Sequence, residues 1–154
     1  MALITTGFNT AAQATAILAK LRTELAGLGV DIVTRGRLWR LPDRPCVVLV
    51  GPSIDIEALG IGVEEGVWHW LILIARDIGD NERRADLLDT WGDTAMAALL
   101  DLTRETAAFV VEGGDGPRRV EDARLLQLID RLGEEIDPIM IEMTTRGEIN
   151  PPSC

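Results

Sequence analysis

A chain of 154 residues with 47% hydrophobic and 26% charged side chains is long enough to bury about 70% of its unfolded surface around one core. It contains no run of the ~18 apolar residues that a membrane-spanning helix requires. Fifteen basic against 25 acidic side chains leave a net charge of −10, which opposes non-specific nucleic-acid binding, because phosphate contacts supply most of that affinity.

The first residues, Met1 to Phe8, have neither a basic region nor a long apolar stretch, so no secretory or transit segment is read there and folding in the cytoplasm is expected. Thr10 opens a helix with Gln13 at the capping-box spacing, and Ala14, Ile17, Leu18, Leu21, Leu25 and Leu28 form its apolar stripe before Gly29 stops it. Val30 to Thr34 alternates as a short strand. The polar segment Arg35 to Pro45, with Gly36, Pro42 and Pro45, reads as a loop or loose hairpin carrying Arg35, Arg37, Arg40 and Arg44.

Cys46 to Val50 is a continuous apolar run closed by Gly51 and Pro52, the pattern of a central strand covered on both faces. After Ile54 to Leu59 and the hinge Gly60-Ile61-Gly62, the longest strand, Val67 to Arg76, presents Val67, His69, Leu71 and Leu73 on one face and Trp68, Trp70, Ile72 and Ile74 on the other. Neither face is polar, so each needs a cover, from this domain's helices or from another subunit. Asp80 or Asn81 caps a second helix with Leu87, Leu88, Trp91, Ala95, Ala98, Leu99 and Leu102 at helical spacing. A Gly-rich excursion at 112–117 precedes a shorter helical pattern through Val120, Leu125, Leu126, Ile129 and Leu132. Ile139, Ile141 and Met143 then alternate as a last strand, and a loose tail follows at 147–154. The order predicts one α+β domain over 1–154, with a mostly antiparallel sheet of about four strands and helices packed on one face.

No catalytic apparatus is legible. The single histidine, His69, lies in an apolar strand and reads as a core or interface residue, and Cys46 has no neighbouring charge to activate its thiol. With only two cysteines, Cys46 and Cys154, no disulfide framework is expected. Glu64-Glu65, Glu134-Glu135 and Asp77 with Asp80 read as solvated acids, and Gly60-Ile61-Gly62 lacks the rest of a nucleotide-binding fingerprint. No cofactor, metal or enzymatic activity is expected. The four tryptophans are more informative, in a chain without tyrosine, because tryptophan is enriched at interface hot spots. Trp91 reads as core, Trp68 and Trp70 as either core or subunit contact, and Trp39, between Arg37 and Arg40, as an interface residue. Arg35, Arg37, Trp39, Arg40, Trp68 and Trp70 are therefore the candidate contacts.

The layout from the Thr10 helix through Leu41-Pro42-Asp43-Arg44-Pro45-Cys46-Val47-Val48-Leu49-Val50, the strand Val67-Trp68-His69-Trp70-Leu71-Ile72-Leu73-Ile74, the Asp80 to Leu100 helix and the closing strand at Met143 resembles the tail-terminator (tail-completion) family of long-tailed bacteriophages. The resemblance implies a structural virion protein, assembled in the host cytoplasm, that forms a homohexameric ring on the head-proximal end of the tail tube. Its implied partners are further copies of itself, the tail tube protein and the head–tail connector, with genomic DNA passing unbound through the lumen and no membrane involved. The implied work is to end tube polymerisation and join tail to head, with the loop Arg35 to Arg44 and the tip Glu112 to Pro117 as contact candidates. A head-closure or adaptor protein of the virion neck is the nearest alternative, and a non-viral ferredoxin-like small-ligand regulatory domain is the more distant one.

Overall fold

The computed structural model describes residues 10–36, 45–60, 62–77, 81–105, 117–120 and 136–150. Helix α1, Thr10–Leu25, continues into a 3-10 turn, Ala26–Leu28. It buries Ala14, Ile17, Leu18, Leu21 and Leu25, the i, i+3, i+4 stripe of an amphipathic helix. Leu28, the last residue assigned to that stripe, is exposed instead. Gly29 ends the helix at φ 82°, a left-handed cap that glycine adopts without a Cβ penalty. The Nε of Arg22 donates to the Val33 carbonyl at 3.0 Å and ties the end of α1 to the following strand.

Five strands form one sheet among the described residues: β1 Ile32–Gly36, β2 Cys46–Gly60, β3 Val63–Asp77, β4 Arg118–Val120 and β5 Ile136–Asn150, in the order β1-β2-β3-β5-β4. The β2–β3, β3–β5 and β4–β5 pairs are antiparallel, but β1 and β2 are parallel, with Ile32 opposite Cys46 and Gly36 opposite Val50. The sheet is thus mixed and five-stranded, not mostly antiparallel with four strands. A parallel neighbour was unexpected because such crossovers usually take a dozen or more residues. Residues 37–45 nevertheless reach up to ~30 Å when extended, more than the ~17 Å needed to return along a five-residue strand.

Four further expectations change. Gly51-Pro52 does not close β2: the register shifts between Val50 and Ser53, so the pair is an irregularity inside a strand that runs on to Gly60. Arg118–Val120 is a strand rather than the start of a helix, and 147–150 belong to β5 rather than to a loose tail. Helix α2, Asn81–Glu105, extends past Leu100. The Gly-rich excursion at 112–116, the helical pattern at 121–135 and the last residues, 151–154, lie outside the described residues.

Both described helices cover one face of the sheet. Leu88, Trp91, Ala95, Leu99 and Leu102 of α2 join the α1 stripe over Val33, Val47, Leu49, Trp68, Trp70, Ile72, Ile74, Ile139, Ile141 and Met143. Burying each large side chain here contributes roughly 1.5–3 kcal/mol of transfer free energy. Gly92 lets α2 approach β5: a Cβ at that position would stand 3.2 Å from Ile139 Cδ1. On the other face Cys46, Val48, Leu73, Ala75, Val120 and Met140 form a second, smaller buried cluster, so β2 and β3 are covered on both sides at that end, as their apolar runs require.

Candidate functional site

Beyond Gly51 the sheet changes character. Strand β1 ends opposite Val50, so from Ser53 onward β2 has no strand on its outer side among the described residues. All side chains from Ser53 to Ala58 are exposed. Antiparallel alternation sets Ile54 and Ile56 on the helix-bearing face, and Asp55 and Glu57 on the opposite one. Ile54 keeps 38% and Ile56 56% of its surface in solvent, a rare concentration of exposed large apolar side chains on this molecule. Their strand pairs with the first half of β3 across a two-residue connection, 61–62, in which Gly62 supplies the positive φ, 75°, that tight hairpins require.

Each face of this projecting hairpin is anchored differently. On the helix face Trp68 is fully buried and its Nε1 donates to Thr10 Oγ1 at 2.9 Å. Trp70 donates from Nε1 to Thr145 Oγ1 at 3.0 Å and to Gln13 Oε1 at 3.4 Å, and the Thr145 hydroxyl itself donates to Gln13 Oε1. Gln13 and Thr145 are the buried polar residues of the described core, and together they satisfy the indole that would otherwise be stranded there. Of the two readings of the Trp68 and Trp70 face, burial therefore gives core, because α1 already covers both rings within the subunit.

The opposite face is polar. Arg146 lies 3.3 Å from Glu57 and 3.2 Å from Glu65, linking β2, β3 and β5. Glu65 is thus held in an ion pair rather than freely solvated. His69 faces this side, nearly half exposed, with Nε2 2.8 Å from Asp55 Oδ2. It is neither core nor covered. Ser53, the cross-strand partner of His69, lines with it an open groove of about 280 Å³, together with Val50, Leu71, Glu142 and Thr144. Neither Ser53 nor Thr144 hydrogen-bonds the imidazole among the described residues, and the ring nitrogen that reaches furthest from the backbone is occupied by a carboxylate. The groove thus offers hydroxyl groups and the His69–Asp55 hydrogen bond, and among the described residues no nucleophile is set against the imidazole.

Arg35 stands at the near end of the open edge. Its Nη2 donates to the Gly51 carbonyl at 3.1 Å and its guanidinium lies 5.9 Å from the Trp70 ring centroid, within cation–π range. Of the other sequence candidates, Arg37, Trp39 and Arg40 lie outside the described residues. The run Ile54 to Glu57 was passed over because Gly51-Pro52 read as a stop. The alternation Ile-Asp-Ile-Glu is the signal that would have found it.

No family model matches the chain, and no curated protein matches it.

Proposed function

We propose that this protein is a structural subunit of a phage virion, assembling as a hexameric ring at the head-proximal end of the tail tube, where it ends tube growth and joins the tail to the head connector. The observation that carries the reading is the β2 edge from Ser53 to Gly60, which no strand among the described residues covers, with Ile54 and Ile56 exposed beside it. A strand edge without a neighbour and flanked by apolar side chains is a surface on which another polypeptide can add. The net charge of −10 supports the second half of the reading, since an acidic lumen repels the DNA backbone and lets it slide. Among the described residues the element order is α-β-β-β-α-β-β, which differs from the βαββαβ order of a ferredoxin-like domain and supports the ring subunit over the small-ligand alternative.

The test is to add the purified protein to polymerising tail tubes and image them by negative stain. A ring capping one end of each tube, with tubes of uniform length, is the expected result. Binding to the head connector without any effect on tube ends would assign the protein to head closure instead, and indifference to both would overturn the proposal.

A further inference from the structure

The two outer borders of the sheet differ in charge. The stretch of β2 with no outer strand among the described residues carries Asp55 and Glu57 on one face, where they also meet His69 and Arg146 of their own subunit while staying 73% and 53% exposed, and Ile54 and Ile56 on the other. The border strand on the opposite side, β4, consists of Arg118, Arg119 and Val120, with both arginines exposed. Arg118 shares a face with Glu142, which it contacts at 3.0 Å with 72% of its side chain still in solvent. Arg119 points to the helix face and meets Asp89 at 2.6 Å. A guanidinium has five N–H donors, so the contact of Arg118 with Glu142 leaves donors for a further carboxylate.

We propose that copies of this chain join edge to edge, β4 of one subunit adding to the open β2 edge of the next, with Arg118 of the first meeting Asp55 and Glu57 of the second. This rests on the ring reading and names its subunit contact. In a sheet continued from copy to copy, β4 runs antiparallel to β2, as follows from β2 antiparallel to β3, β3 to β5 and β5 to β4. The faces also agree: Arg118 falls on the side of Asp55 and Glu57, and the aliphatic stem of Arg119 falls on the side of Ile54 and Ile56. Joining the β2 edges of two copies about a two-fold axis would instead set Asp55 and Glu57 against their own counterparts, and like charges facing each other across strands are destabilising. The contact is therefore head-to-tail, the kind that closes into rings. Arg118 is level with Leu71 on the sheet and Asp55 with Val67, a stagger of ~13 Å along the strands. A ring with that stagger at every joint has strands inclined to its axis, as barrels do.

A charge swap tests this. The Asp55→Arg/Glu57→Arg variant has two basic borders and the Arg118→Glu/Arg119→Glu variant two acidic ones, so each should assemble at least about tenfold more weakly than the wild type when alone. Mixed in equal amounts, they should recover the wild-type oligomer as an alternating ring, read by native mass spectrometry. The swapped side chains are exposed, and circular dichroism checks the fold of each variant. Should either misfold, Ile56→Lys, at an exposed position on the same edge, is expected to weaken assembly as much. Variants that assemble like the wild type, or a mixture that recovers nothing, would overturn the contact while leaving the ring reading in place. A wild type that forms no oligomer in solution or at tube ends would overturn the ring reading first, and the contact with it.

Discussion

Thr145 is a small residue with a large structural share. Its hydroxyl takes the Trp70 N–H and gives its own proton to Gln13, joining β5, β3 and α1 in the core. Thr145→Val keeps the volume and removes the hydroxyl, so that the Gln13 oxygen and the Trp70 N–H each lose one partner at a buried site and keep their longer mutual contact of 3.4 Å. A loss of about 1–3 kcal/mol is expected, seen as a lower urea midpoint with an unchanged m-value. Asp55→Asn, by contrast, alters a contact with His69 whose members are 73% and 46% exposed, and stability should fall by less than ~1 kcal/mol in the same experiment. The polar pairing of the tryptophans was not legible in sequence. Period-two alternation placed Trp68, Trp70, Ile72 and Ile74 on one face, but which hydroxyl or amide meets an indole 57 or 75 residues away in the chain is decided by how α1 crosses the sheet.

At the scale of elements, Gly51 is the pivot between the two halves of β2. At φ 98° it occupies the region that side chains rarely adopt, and a Cβ there would sit 3.4 Å from the Ser53 nitrogen and 3.5 Å from the His69 carbonyl oxygen. Gly51→Ala is expected to cost about 1–2 kcal/mol, and hydrogen exchange should show the added opening concentrated in Ser53–Gly60 rather than in Cys46–Val50. Gly29→Ala, also at positive φ but with open space around it, should cost about 1 kcal/mol without that regional signature. Both helices, the stripe on each and the buried run Cys46–Leu49 could be read from periodicity, because a core face leaves a repeat in the chain. The parallel placement of β1 left no such trace, and neither did the continuation of β2 through Gly51-Pro52. Strand order depends on long-range pairing, and a glycine–proline pair has the same appearance at a strand end as at an irregularity within one.

For the whole molecule, the proposed assembly finishes the sheet with other copies of the chain. Ile54→Lys/Ile56→Lys places charges on an edge that is already solvated in the single subunit, so its thermal midpoint should stay close to that of the wild type while its association is lost, lysine on an edge strand being a common bar to strand addition. Separating stability from assembly in this way is the signature of an interface residue as opposed to a core one. Of the candidate contacts read from the sequence, Arg35 lies beside the β2 edge and Trp68 and Trp70 lie in the core, whereas Arg37, Trp39 and Arg40 fall outside the described residues, and the edge isoleucines were hidden behind an apparent turn. The measurement that bears most directly on the account is the solution mass of the wild-type protein by native mass spectrometry. A closed hexamer of the 16.8 kDa chain, about 101 kDa for six copies in head-to-tail contact, is the predicted result, and a stable dimer that ignores tail tubes would contradict it.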